Sequence, residues 1–293
     1  MPSLKTHLLR FAGATLSLAP AHAAAAKYML VFGDSYSTTG SWAGSTAPSE
    51  ANPIGNPSFP GTTTSGGINW VGNAIAVYNT TEVFAYDLAV TGATTDNDIV
   101  ATYAQYNFDD QVETLYSTYI AGSQPWASTA AADDDVLVAV WCGINDVGEP
   151  FWDGISAPVD EIMERYFGLL DTLYADGLRN FVLFTVPPFD KAPAIIYQDA
   201  TMVASLQSDI KTYNAALKTR LATFVSEHSD VTGTLFDTAP TFETVLADPS
   251  AYGATDATCI SSDGKCLWAD SYHPALVIHK LLAEALVDAV DFF

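Results

Sequence analysis

The chain has 293 residues, 12% of them aromatic and only 15% charged, with a formal net charge of −23 at pH 7. So acidic a surface repels phosphate backbones and anionic membranes, and no cluster of Lys or Arg reverses the field locally, which argues against nucleic acid as a partner. Beyond the first residues no apolar run approaches the ~20 residues that a bilayer helix requires. The expectation is a soluble, monomeric protein without stable membrane association.

Residues 1–26 carry Lys5 and Arg10, an apolar run from Phe11 to Ala19 and a small-x-small ending at Ala21-His22-Ala23. This is the pattern of a secretory signal peptide, so the mature chain is expected outside the cell. No linker divides residues 27–293, which read as one domain. The first strand-like run, Tyr28–Phe32, leads into Gly33-Asp34-Ser35-Tyr36. A Gly, Pro, Ser and Thr-rich stretch from Gly40 to Gly67 reads as a long functional loop. A helical pattern at Asn69–Tyr78 ends near Asn79-Thr80-Thr81, an N-glycosylation acceptor. The second strand, Val83–Tyr86, is followed by a loop holding Gly92, and helical spacing returns at Val112–Ala121. Asp133-Asp134-Asp135 reads as a solvated turn before the third strand, Val136–Trp141, after which come Cys142 and Gly143-Ile144-Asn145-Asp146, a common turn composition. Helix at Val159–Ala175, strand at Phe181–Val186, helix at Ala200–Glu227, strand at Thr232–Phe236 and helix at Ala275–Val290 complete the alternation. It predicts a three-layer α/β/α sandwich around a central, mainly parallel five-stranded sheet.

Three cysteines permit one intrachain bridge, and Cys259 and Cys266 flank a turn-forming Asp263-Gly264. Their pairing would brace the segment that leads to Asp270 and His273. Cys142, at the end of an apolar strand, is left as a buried thiol.

In open parallel sheets the ligand crevice lies at the carboxyl ends of the strands, and Ser35, Gly92 and Asn145 all follow strands on that rim. A serine hydroxyl becomes nucleophilic when a base takes its proton and a carboxylate orients that base. Asp270 and His273 stand three apart, so both side chains can leave one turn on the same side. Of the three histidines beyond the leader, His273 alone sits in a loop beside an acid, whereas His228 falls at a helix end and His279 within the last helix. The Ser35 and Gly92 backbone amides and the Asn145 side-chain amide can serve as oxyanion donors. Asp34 and Asp146 read mainly as structural carboxylates of their loops. Neither paired histidines nor clustered cysteines offer a metal site, and no cofactor is needed. Trp42, Trp70 and Trp141 lie near these motifs and are candidates for stacking on a sugar.

A GDS triplet, a glycine after the next strand, G-x-N-D after the third strand and D-x-x-H near the end resemble the SGNH subgroup of the GDSL hydrolases. The resemblance spans nearly the whole mature chain, with Tyr36 where many members carry leucine. It implies Ser35 as nucleophile, His273 as base, Asp270 as its partner, and Ser35, Gly92 and Asn145 around the oxyanion. More narrowly, the segments Phe32 to Gly40, Gly67 to Val71 and Phe181 to Pro188 are similar to the fungal acetylesterases of carbohydrate esterase family 16. That implies removal of acetyl groups from plant-wall oligosaccharides. A secreted lipase or phospholipase on the same scaffold and a non-catalytic carbohydrate-binding wall protein are the alternatives.

Overall fold

The computed structural model describes residues 26–123, 126 and 135–293. The leader, apart from Ala26, and Asp133 and Asp134 of the acidic run lie outside the described residues. Five strands, β1 (Lys27–Gly33), β2 (Val83–Asp87), β3 (Val136–Trp141), β4 (Asn180–Phe184) and β5 (Thr232–Phe236), form one parallel sheet in the order β2-β1-β3-β4-β5. The central strands β1 and β3 are covered on both faces, so they are apolar without alternation: Met29 to Phe32 and all of Val136–Trp141 are buried. Their register pairs Gly33 with Trp141, which sets the ends of the two strands side by side. Strand order reverses between β1 and β3, and at that reversal the helices on the two faces diverge to leave a crevice.

On one face α1 (Trp70–Ala76) packs against the C-terminal helix, Leu276–Ala289. On the other, Val159–Ala175 and Ile144–Asp153 both pack on the long helix Ala200–Glu227. In chain order these are α1, α2 (Ile144–Asp153), α3 (Val159–Ala175), α4 (Ala200–Glu227), α5 (Ala239–Ala247) and α6 (Leu276–Ala289). Asn69 starts α1 by accepting the Gly72 amide, and Asp199 starts α4 by accepting those of Thr201 and Met202.

Three features differ from the sequence expectation. Gly143-Ile144-Asn145-Asp146, read as a turn, is the N-cap and first turn of α2, a ten-residue helix. Gly148 and Pro150 inside it are poor helix residues and hid it from the pattern. Helix α5 was also unforeseen, although Pro240 in its first turn is a start signal. The expected helix at Val112–Ala121 is a composite: α-helical at Phe108–Asp110, π-helical over Gln111–Tyr116 and α-helical again at Ser117–Tyr119. Its π turn includes Gln111, whose amide accepts the Gly33 N–H at 2.9 Å and donates to the Gly33 carbonyl at 2.8 Å. A side chain thereby bonds both backbone groups of the last β1 residue, whose carbonyl also accepts the Val90 amide at 3.0 Å.

Glycine is required at the two strand ends that face the crevice. Gly33 has φ +147°, and a Cβ there would lie 2.2 Å from the Trp141 carbonyl oxygen. Gly143 has φ +135°, and its Cβ would strike the Tyr213 ring at 2.6 Å. Both residues let the chain leave the sheet sharply while neighbouring groups stay packed.

Candidate active site

Strand β1 delivers Ser35 through a tight turn in which the Asp34 carbonyl accepts the amides of Ser37 (3.1 Å) and Thr38 (3.0 Å). The Asp34 side chain accepts the Tyr36 amide at 2.9 Å. From the long loop, Thr64 Oγ1 donates to the Ser35 carbonyl at 2.7 Å. The backbone around the serine is thus held from two sides, and the hydroxyl projects to the rim of the sheet.

The base arrives from the segment before α6. The Cys259–Cys266 disulfide, expected from the cysteine spacing, is formed. Beyond it, buried Trp268 donates Nε1 to the Ala257 carbonyl at 2.9 Å, and Ala269 donates its amide to the His273 carbonyl at 2.8 Å. Asp270 Oδ1 accepts the amides of Tyr272 (2.7 Å) and His273 (2.8 Å), so the carboxylate that orients the imidazole also folds the turn carrying it. Asp270 Oδ2 lies 2.7 Å from His273 Nδ1, and His273 Nε2 lies 2.8 Å from Ser35 Oγ. Partial burial alone would raise the Asp270 pKa, but the hydrogen bonds from His273 and the two amides, with the imidazole charge, hold it below its ordinary value. An ionised Asp270 can only accept, which places the ring proton on Nδ1 and leaves Nε2 to accept the Ser35 hydroxyl.

Asn145, the second residue of α2, donates Nδ2–H to the Ala93 carbonyl at 2.9 Å. The amide carries two donors, so one hydrogen remains for a ligand. Next to it, buried Asp146 accepts the Thr95 amide at 2.9 Å. Together Asn145 and Asp146 clip the Gly92 turn to the end of β3. Ser35, Gly92, Asn145 and His273 all line one cavity of about 470 Å³, whose wall also includes Tyr103, Glu149, Trp152, Phe189 and Tyr272. The geometry therefore brings nucleophile, base, orienting carboxylate and oxyanion-donor candidates to one opening. Asp34 and Asp146 bind backbone amides instead of His273. Burial is the largest influence on both, raising Asp34 to about 8 and Asp146 to about 6. Burial likewise pushes the Cys142 thiol well up; its sulfur lies 3.6 Å from Asp146 Oδ2.

The tryptophan expectation requires correction. Trp70 and Trp141 are fully buried: the Trp141 indole stacks on Phe184 at 5.2 Å and donates to the Thr185 carbonyl, while the Trp70 indole donates to Ser37 Oγ. Neither can meet a sugar. Trp42 is 42% exposed, but it packs between Tyr106 and Tyr119 and lines a separate cavity of about 100 Å³. The aromatic side chains at the crevice are Tyr36, Tyr103, Trp152, Phe189 and Tyr272, with the His273 ring of the triad. Asn145, Gly148, Glu149 and Trp152 recur at helical spacing, a signal that recognition of α2 would have exposed; Tyr103 had none. His228 pairs with Asp171 at 3.0 Å at the end of α4, and His279 is buried beneath Trp70, whose amide its Nδ1 accepts at 3.3 Å. Burial lowers the His279 pKa to about 3, so it is neutral and outside the site. Asn79 is partly exposed in the turn between α1 and β2.

No family model matches the chain. It is 43% identical over 268 residues, 90% of its length and 88% of the relative's, to an acetylesterase of Thermothelomyces thermophilus. The chain belongs to the SGNH/GDSL family of carboxylic ester hydrolases. An acetylesterase of Hypocrea jecorina shares 26% identity over 169 residues, 54% of this chain and 47% of that protein. Among solved structures, a GDSL-like protein from Parabacteroides merdae superposes with TM-score 0.55 at 13% identity, covering 91% of this chain and 96% of that one, which agrees in fold. For a GDSL hydrolase the block Gly33-Asp34-Ser35-Tyr36 is the motif that gives the family its name, here with tyrosine in the fourth place.

Proposed function

We propose that this GDSL hydrolase is a secreted acetylesterase that removes acetyl groups from plant-cell-wall-derived carbohydrates through an acetyl-serine intermediate. The observation that carries the reading is the unbroken chain from Asp270 through His273 to Ser35, opening directly into the 470 Å³ cavity. In the proposed sequence Ser35 Oγ attacks the acetyl carbonyl as its proton passes to His273 Nε2. The imidazolium is stabilised by Asp270, and the tetrahedral oxyanion is met by the Asn145 side-chain amide with the amides of Ser35 and Gly92. Collapse breaks the ester bond, and the sugar hydroxyl leaves with the proton from His273. Water, deprotonated by His273, then attacks the acetyl-serine; acetate departs and Ser35 regains its proton. No cofactor enters this sequence.

The acetyl preference is supported by the two fungal acetylesterases that the chain resembles. A carbohydrate alcohol is supported by the aromatic wall of the crevice, and export by the pattern of residues 1–26. The test compares kcat/KM for 4-nitrophenyl acetate and octanoate, then acetate release from acetylated xylo-oligosaccharides with fatty-acid release from phosphatidylcholine. The expected result is preference for acetate and for the sugar ester. Preference for octanoate with phospholipid hydrolysis would transfer the reading to a lipase.

A further inference from the structure

Helix α2 acts as a ruler leading away from the oxyanion position. Asn145, Gly148, Glu149 and Trp152 share the face that lines the cavity. At 1.5 Å per residue, Glu149 stands about 6 Å and Trp152 about 10 Å beyond Asn145 along the axis. Gly148, between Asn145 and Glu149 in sequence, contributes no side chain to narrow the passage. Trp152 is 41% exposed, its ring held edge-on by Phe151 at 4.8 Å and flanked by Tyr272 at 6.3 Å; Tyr272 in turn meets Phe189 at 5.6 Å. The mouth is therefore an aromatic wall with rigid neighbours. Glu149 is the one carboxylate among the described residues lining this cavity, and neither Lys nor Arg lines it. It is partly buried, where a charge interacts more strongly than in bulk water, and the proposed ester chemistry gives it no task.

We propose that Glu149 and Trp152 form the leaving-group subsite, in which Trp152 packs against a neutral pyranose and Glu149 accepts a hydrogen bond from one of its hydroxyls while repelling anionic sugars. This deepens the acetylesterase reading and rests on it. A carboxylate acceptor favours ligands rich in hydroxyl donors. The same charge, with neither Lys nor Arg lining the cavity to offset it, disfavours a uronate placed in its stead. The selectivity of the enzyme for its alcohol thus resides on the helix that also carries an oxyanion donor, about one turn further out for Glu149 and two for Trp152.

The experiment compares wild type with Glu149→Ala, Glu149→Gln and Trp152→Ala on three probes: 4-nitrophenyl acetate, an O-acetylated methyl xyloside and an O-acetylated methyl glucuronide. The readout is the kcat/KM of each sugar ester divided by that of the aryl acetate, which cancels losses of chemistry or folding. The xyloside ratio is expected to fall about tenfold in Glu149→Ala and in Trp152→Ala, mainly through KM, as for loss of a hydrogen bond to a charged group or of an aromatic contact. Glu149→Gln, which keeps an acceptor but no charge, should lose less on the xyloside and reduce discrimination against the glucuronide about threefold or more. Unchanged ratios in both alanine variants, or equal losses on aryl and sugar esters, would overturn the subsite while leaving the esterase reading intact. Wild type that cleaves the aryl acetate but neither sugar ester would overturn the carbohydrate reading and the subsite together.

Discussion

The Tyr36 hydroxyl donates to the Tyr272 carbonyl at 2.6 Å, joining the turn that carries Ser35 to the turn that carries Asp270 and His273. The two turns are 236 residues apart in sequence. Tyr36 is 1% exposed, its ring 5.4 Å from Trp141 edge-on and 5.8 Å from His273. Burial, together with the charges of Asp34 and Asp270, pushes its phenol well above 10, so it remains a donor at any working pH. Tyr36→Phe keeps the ring and opens no cavity of consequence, so its effect isolates the tether. Removing such a bond and leaving its acceptor in a partly buried place costs about 1–2 kcal/mol. If about half of that stabilisation serves to hold His273 against Ser35 in the transition state, kcat should fall about two- to fivefold with KM close to wild type. Initial rates with 4-nitrophenyl acetate give both constants, and urea unfolding followed by tryptophan fluorescence gives the stability change. A variant with wild-type kcat and an unshifted urea midpoint would refute the view that this bond couples the two halves of the site.

Asn145→Ala should lower kcat about 10²- to 10³-fold with little change in KM, because an oxyanion donor acts mainly on the transition state; an effect confined to KM would make Asn145 a substrate-binding residue. Stability should fall as pH rises. Asp34 is fully buried, and burial, opposed by the Tyr36 amide and reinforced by Asp146, raises its pKa from the ordinary 3.8 to about 8. Between those values the folded protein keeps a proton that the unfolded chain releases, so each pH unit removes up to about 1.4 kcal/mol. Asp34→Asn should flatten the dependence of unfolding free energy on pH between about 5 and 7. Urea titrations at the two pH values measure this, and a variant with the wild-type slope would contradict it.

The central strands were legible because a parallel sheet covered on both faces demands continuous apolar runs, as in β3, whereas the edge strand β5, with only Phe236 buried, shows through β-branched Thr232 and Thr234; both have the bounds that the sequence suggested. The motif positions were legible for a related reason. Each follows a strand directly, so the topology places it on the rim without knowledge of long-range packing. Asp270 and His273 were readable as a pair because their geometry is local to one turn. What escaped depends on which way a side chain faces. Trp141 lies on a strand buried on both sides, where alternation marks no exposed face, and Trp70 opens a helix turned toward the sheet. Proximity in sequence to a motif said nothing about either. Trp152 and Glu149 were hidden because Gly148 and Pro150 obscured the helix that presents them. The Gln111 clamp on Gly33 spans 78 residues and depends on a π turn, which has no simple pattern in composition.

The most direct test of the account is active-site labelling with a fluorophosphonate, followed by peptide mass spectrometry and residual-activity measurement on the same samples. The account predicts one adduct per chain, on Ser35, with esterase activity lost in proportion to labelling and no adduct in a folded Ser35→Ala variant. Complete labelling at another serine, or full activity retained in a chain modified at Ser35, would contradict it.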